Sequence, residues 1–485
     1  MLYVDFGLYL LLMLVIGYVS MRRTKTNEDF IIGGRTMGSL TTAISAGASD
    51  MSSWLLLGLP GAVFASGLIE GVWISAGLLI GAYLNWLIVA GRLRVMTEKL
   101  KAVTLPTFFS NRFDDRSGAI KIVSTLVILV FFTLYVASGL KGGTLLFAHT
   151  FGATEEVSLI VTALVVVAYT FLGGYRAVCW TDLIQGLLML AALMFAALLG
   201  YFAYAGSDAS ITAVNPDAFS FSTGWITALS LMAWGFGYFG QPHILARFIG
   251  IKDVTLVPRA RRIGISWMAL CLILATAIGL IGIGVDAAMP LEGLTGEGAN
   301  SERIFLAMTS ALFHPLFAGI VLAAVLAAVM STADSQLLVL TSALTEDVPA
   351  IAKMDDRRKE WISRFGVVGF AAIAFLIAAG DTGTILNMVG YAWGGFGAAF
   401  GPVVILAAVW RGTSKWGALA GMIVGSVTIF VVKNYISIEG EYFYELLPGF
   451  ILAFAAVVGV SLLTPKPSEE TLRSFAEAGD AVRGI

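Results

Sequence analysis

Charge is what this sequence has least of. Asp, Glu, Lys and Arg make 13% of the 485 residues, while 58% are hydrophobic and the mean hydropathy is +0.87. A soluble domain carries about twice that share of charge, so a water-soluble fold is excluded and a polytopic helical membrane protein is indicated. A net charge of −2 gives no basic surplus to attract nucleic acid. The two cysteines, Cys179 and Cys271, border or lie in apolar runs and read as small buried hydrophobes, not a disulfide. His149, His243 and His314 are far apart and show no metal-ligand spacing. These scattered groups form no convergent catalytic set, so an enzyme is not expected. The first apolar run, Leu2–Ser20, has no basic region before it and no small-residue cleavage site. It reads as a retained span, not a signal peptide.

What is present is a succession of apolar runs of roughly 20 residues, the length that crosses a bilayer. They fall at Leu2–Ser20, Ser39–Gly67, Ile69–Ala90, Ile120–Phe147, Val157–Leu172, Thr181–Ala205, Thr223–Phe248, Ile263–Val285, Leu316–Leu344, Trp361–Ala379, Ile385–Trp410, Trp416–Ile436 and Leu446–Leu463. That is about thirteen. Of the 30 Lys and Arg, all but Lys141, Arg303 and Lys433 then fall on one side. Cationic loops stay in the cytoplasm, so the N-terminus is expected outside and the C-terminus inside. On this count Arg247 and the Arg259, Arg261, Arg262 cluster are topology signals. Two polar outer loops, Gly206–Ser222 and Asp286–Ser301, suit either gates or passive connectors. The charged tail from Pro465 offers no signalling domain.

The second run is broken at its centre: Ala46, Gly47, Ala48, Ser49, Asp50, Met51, Ser52, Ser53. An ionisable group such as Asp50 costs about 3 kcal/mol or more there unless it faces a partner or water. Small and polar residues also weaken the helix where lipid demands one. Two readings fit: a discontinuous helix that binds something at mid-membrane, or a kinked helix with Asp50 in a polar cluster. The seventh run carries three glycines and Pro242 in its centre, Trp234 to Pro242. Five spans separate the starts of the two broken runs, an odd number, so the second group of five enters from the opposite side. Two inverted five-helix units that each open on an interrupted helix are a transporter pattern. The division expected is a first helix and inner loop over 1–38, one repeat over 39–205, a second over 206–410, and two further helices with a tail over 411–485.

The ninth run holds Ala328, Ser331, Thr332, Asp334 and Ser335. Adjacent hydroxyls beside loosened carbonyls suit a hard cation wanting about five or six oxygens. Such hydroxyls also bond back to their own helix or join helices.

Four stretches, GASDMSSWLLLGLPGAVF, LGGYRAVCWTDLIQG, AWGFGYFGQPHILARF and LAAVMSTADSQLLVLTSALTED, together resemble the sodium:solute symporter family over nearly the whole chain. The resemblance implies an all-α, LeuT-type five-plus-five inverted repeat in the bacterial inner membrane. It implies a co-transported sodium ion held by the carbonyls of Ala48, Met51 and Ala328 and the hydroxyls of Ser331 and Thr332, with no organic cofactor. Its proline-transporting members imply L-proline as solute, contacted by Ser52, Tyr135, Trp234, Tyr238 and Pro242. Ser49, Asp50, Arg35 and Asp182 match coupling or gating positions. Asp182 with Ser335 is a further place for a second sodium. A monomer is expected.

The residue types suit an imino acid. Exposed N–H groups at a half-helix start attract a carboxylate, and an aromatic face attracts an ammonium by about 0.5–2 kcal/mol. Trp234, Tyr238 and Tyr135 are equally suited to ordinary packing. A different small amino acid or organic solute, and proton coupling through Asp50, stay open. A channel would need a continuous polar lining or a carbonyl filter, and the sequence offers neither.

Overall fold

The computed structural model describes residues 2–22, 26–170, 174–220, 222–294, 300–380 and 383–483. Arg23 and Lys25 of the first basic loop lie outside the described residues, as do Leu172 and Gly173, Phe221, and 295–299 of the Gly-rich loop. Among the described residues the fold is helical without a strand; the lone β-bridge joins Met37 to Ile251.

The main helices are α1 (Leu2–Met21), α2 (Ser39–Ala48), α3 (Leu59–Ser66), α4 (Leu68–Lys99), α5 (Ala119–Phe151), α6 (Glu155–Thr170), α7 (Tyr175–Ala205) and α8 (Trp225–Met232). They continue with α9 (Pro242–Gly250), α10 (Val257–Ala288), α11 (Pro315–Asp347), α12 (Asp356–Ala378), α13 (Ile385–Val409), α14 (Lys415–Tyr435) and α15 (Leu446–Leu463). Ten helices among the described residues are long and apolar enough to cross a membrane. Three of the expected runs are not among those ten. α6 has 16 residues, and Ser39–Gly67 and Thr223–Phe248 are each split into shorter pieces.

Burial sorts the bundle into centre and rim. The apolar windows of α11 and α13 are 83% and 89% buried, against 28% for α1 and 22% for α12. α11 therefore runs through the middle, packed on α5 and α7, with α1 and α12 outside it. α2 packs on α7 and α10, while the break after α8 packs between α4 and α13.

Glycines set the closest of these approaches. A Cβ at Gly81 would stand 2.1 Å from the Gly235 carbonyl oxygen, and one at Gly77 2.2 Å from that of Met232. Small residues let two backbones touch where lipid gives no hydrophobic drive to associate. The polar loop after α7 is fastened down as well: Leu68 N–H donates to the Ala218 carbonyl at 2.9 Å. At the basic end, Arg94 donates to the Ile251 and Lys252 carbonyls at 2.6 and 3.0 Å, and Lys415 pairs with Asp115 at 2.8 Å.

Gly81→Ala should cost about 1–3 kcal/mol through overpacking against backbone that cannot yield. A lowered thermal midpoint of the purified protein in detergent reads this out. Gly369→Ala, whose new Cβ meets nothing within 4 Å, should leave the midpoint unchanged or higher.

Candidate functional site

The site begins where α2 ends. Past Ala48 the ladder tightens: Asp50 N–H donates to the Gly47 carbonyl at 3.1 Å and Ser52 N–H to the Asp50 carbonyl at 2.9 Å. A wide turn over Trp54–Gly58 then leads into α3. The break thus spans a few residues, in the Ser-Asp-Met-Ser stretch where helix propensity is weakest.

Three oxygens converge beside it. The Ser331 hydroxyl on α11 lies 2.9 Å from the Ala48 carbonyl and 3.2 Å from the Ala328 carbonyl. Its neighbour Thr332 is buried, and its hydroxyl has no hydrogen-bond partner among the described residues. Met51 is fully buried in the same turn. Ser49 is turned back onto its own helix, its hydroxyl donating to the Ala46 carbonyl at 3.1 Å. Ser52 is buried, with the Trp54 N–H 3.5 Å from its hydroxyl.

Asp50 joins the two broken helices. One carboxylate oxygen accepts from the Tyr238 hydroxyl in the second break; the other has no partner among the described residues. The Asp50 carbonyl accepts from the Trp54 indole at 2.9 Å and from the Tyr135 hydroxyl at 3.4 Å. The carboxyl group that lipid would penalise is thus buried against the Tyr238 hydroxyl, while indole and phenol donors hold the backbone beside it.

The second break is longer. Ala233–Gly240 is a 3₁₀ stretch, Gln241 is extended, and Pro242 opens α9 at a position where its missing N–H is harmless. Trp234, Tyr238 and Pro242, the solute contacts that the resemblance implies here, lie along this stretch. Four residues of α-helix turn the chain to within about 40° of the start, whereas four residues of 3₁₀-helix leave it about 120° away. Trp234 accordingly lines a cavity of about 160 Å³ and stacks on Tyr444 at 5.2 Å. Tyr238 lines a cavity of about 20 Å³ with Gly47 and Met268, and Pro242 another of about 20 Å³ with Thr104 and Val339. Each of the small cavities holds one water at most.

Asp182 on α7 is paired, fully buried, with Arg247 at 3.0 Å and accepts from Ser45 at 2.6 Å. Arg247 is therefore no topology signal: it is fully buried, and it donates to Ser45 at 3.1 Å, to the His243 carbonyl at 3.0 Å, to Asp182 and to Ser335. The pair Asp182 and Ser335, considered as a second sodium place, holds this guanidinium instead. Arg35 acts apart from these groups, in the loop before α2. At φ 53 it forks onto the carbonyls of Ile249, Thr97 and Ala102 at 3.0–3.2 Å. Burial, and then Arg94 nearby, lower its pKa from the ordinary value, which Glu28 partly offsets. Sequence reasoning also missed Asn85, Gln241 and Trp393, whose side chains hold the carbonyls of Tyr238, Gly237 and Trp234. Their amide and indole donors in apolar runs were the available signal.

Removing one partner from the buried Arg247–Asp182 pair should cost about 3–5 kcal/mol. Arg247→Met and Asp182→Asn should each lower the detergent thermal midpoint, and the double variant should melt above either single. Losses that simply add in the double variant would show the two groups to be independent.

Three comparisons bear on this geometry. The sodium:solute symporter family model matches residues 30–425. The chain is 45% identical to the sodium/proline symporter of Salmonella typhimurium, over 98% of this chain and 95% of that protein. It is 44% identical to the high-affinity proline transporter PutP of Bacillus subtilis, over 97% of this chain and 100% of that one. The solved structure of a Na+-coupled sialic acid symporter in a substrate-bound outward-open state has the same fold. Its TM-score is 0.80 at 20% identity, over 96% of this chain and 99% of that one. A nucleobase-cation-symport-1 family transporter follows at 0.59 and 16%, over 92% and 97%. By sequence over almost its whole length and by fold, the chain belongs to the sodium:solute symporter family.

Proposed function

We propose that the protein is a secondary transporter that carries L-proline into the cell together with sodium, as a monomer in the bacterial inner membrane and without catalytic chemistry. The observation that carries this reading is the Ser331 hydroxyl held between the Ala48 and Ala328 carbonyls, with the Thr332 hydroxyl beside it. These oxygens come from a helix end and from the face of an unbroken helix, so an ion among them clamps one element onto another. Met51 supplies a further carbonyl in this proposal. The 42–45% identity to proline transporters supports the choice of solute.

The proposed arrangement has thirteen membrane segments, N-terminus outside and C-terminus inside. The repeats cover 39–205 and 206–410, with 1–38 before them and 411–485 after. Sodium arriving from outside steadies the turn at Ala48–Met51. Asp50, in that turn, then holds Tyr238 and so fixes the second break, where Ser52, Tyr135, Trp234, Tyr238 and Pro242 are the proposed solute contacts. Ser49, Asp182 and Arg35 serve coupling and closure: Arg35 seals the basic end while it grips three carbonyls. A membrane potential supplies about 2.3 kcal/mol per charge per 100 mV. A tenfold sodium gradient adds about 1.4 kcal/mol. One sodium per proline then supports roughly 400- to 500-fold accumulation.

Labelled-proline uptake into proteoliposomes, with a sodium or a proton gradient imposed in turn, tests the reading; uptake driven by protons alone would refute sodium coupling. Ser331→Ala and Thr332→Ala should each raise the sodium concentration for half-maximal uptake about tenfold, the effect of about 1.4 kcal/mol lost at the ion. Thr341→Ala removes a hydroxyl that bonds its own helix at 2.7 Å and should leave it unchanged.

A further inference from the structure

The charged tail folds back onto the bundle. Residues Glu469–Ala481 form a helix, α16, whose start is capped by the Ser468 hydroxyl accepting from the Thr471 N–H at 3.3 Å. Thr471 and Ala478 are buried, and Phe475 and Val482, the latter just past the helix end, are partly buried. Their spacing of four, three and four residues makes one helical face, and that face lies on the last turns of α4. Val482 sits on Gly91, where a Cβ would come within 3.9 Å of the Val482 Cβ. Glu477 pairs with Lys99 at 2.7 Å. The Phe475 ring covers the guanidinium of Arg112 at 5.1 Å, at the end of the short helix Leu105–Arg112. Arg112 in turn donates through Nε to the Ala407 carbonyl near the end of α13, at 3.2 Å. α16 therefore ties α4 to the short helix and, through Arg112, to α13.

The place where it docks is the place that Arg35 holds. That arginine grips the carbonyls of Thr97 and Ala102, which flank Lys99 in the chain. The docking is weak by construction. The Lys99–Glu477 pair is exposed enough to contribute little. Arg112 is 1% exposed, yet its Nη1 and Nη2 have no hydrogen-bond partner among the described residues. Burial lowers its pKa to about 10. A buried guanidinium without a counter-charge is costly, and the faces of Phe475 and Phe113 relieve only part of that cost. Lifting α16 returns Arg112 to water and recovers it. We infer that α16 is a releasable strap across the basic end, docked on α4 while Arg35 holds that end shut and lifted when it opens. The inference rests on the proposed transport reading, in which the basic end must open to release sodium and solute.

A Cβ separation of 3.9 Å suits a disulfide, so the strap can be locked. Gly91→Cys/Val482→Cys, oxidised in proteoliposomes, should lose sodium-driven L-proline uptake about tenfold or more and regain it on reduction with dithiothreitol. Each single variant, treated alike, should be unaffected. Undiminished uptake by the cross-linked protein would overturn the strap, as would thiols that fail to join. Release is tested separately by N-ethylmaleimide labelling of the purified protein in detergent. Cys179, fully buried on α7 against Met37 and Leu338, reports opening of the basic end; Cys271, buried midway along α10, reports general loosening. Phe475→Ala should raise the labelling rate of Cys179 about tenfold and leave that of Cys271 unchanged. Phe475→Tyr, which keeps a ring over Arg112, should label as wild type does. No change at Cys179, or equal rises at both thiols, would overturn the strap. Should Phe475→Ala not assemble, the lock decides alone. Absence of sodium-driven proline uptake by the wild type would instead sink the transport reading. The strap is then judged by labelling, with the oxidised lock expected to slow Cys179 about tenfold; an unslowed rate overturns it.

Discussion

A carbonyl oxygen inside a bilayer must find a donor within the protein, because lipid offers none. The whole bundle is arranged around two places where a helix stops providing that donor. At the second break three side chains supply it. Trp393 donates to the Trp234 carbonyl at 2.7 Å, Asn85 to that of Tyr238 at 2.8 Å, and Gln241 to that of Gly237 at 3.2 Å. Each donor sits on an apolar helix or in the break itself, so a 3₁₀ segment of eight residues persists at membrane depth without exposing backbone to lipid. At the first break the donor comes from farther along the chain: Ser331, 283 residues after Ala48.

Charge inside the bundle obeys the same rule more strictly. Arg247 is fully buried and touches α2 through Ser45, α7 through Asp182 and α11 through Ser335, while remaining part of α9. Four elements from both proposed repeats therefore share one guanidinium, whose rigid fork suits several acceptors at once better than an ammonium would. Burying the pair carries a desolvation penalty that its attraction only repays with good geometry. The supplementary bonds to Ser45 and the His243 carbonyl provide that geometry. What the arrangement secures is registry between α2 and α11, the two elements whose oxygens meet at Ser331.

Much of this was legible in the residues. Both interruptions announce themselves as small, polar or Gly-Pro stretches within apolar runs, and the paired hydroxyls of Ser331 and Thr332 follow a long apolar stretch of their helix. Arg247 was misread because a count of basic residues by loop treats every arginine near a helix end alike; burial, which a one-dimensional count cannot see, distinguishes it from Arg259 or Arg262.

The two breaks are consequently unlike in what they can hold. The second has carbonyls already engaged by indole and amide donors, so a cation there must displace three side-chain hydrogen bonds before gaining anything. Its remaining resources are aromatic faces, which favour an apolar ring or a diffuse positive charge. The first break has the reverse endowment: small side chains, a buried hydroxyl without a partner, and a serine proton that an ion can replace between two carbonyls. On this ground the proposed placement puts sodium at the first and an organic solute near the second. Asp50, bonded through its side chain to Tyr238 and through its backbone to Trp54 and Tyr135, touches both breaks. In the proposed cycle, coupling between ion and solute needs no long pathway, because the turn proposed to hold sodium is already bonded to the break proposed to meet the solute.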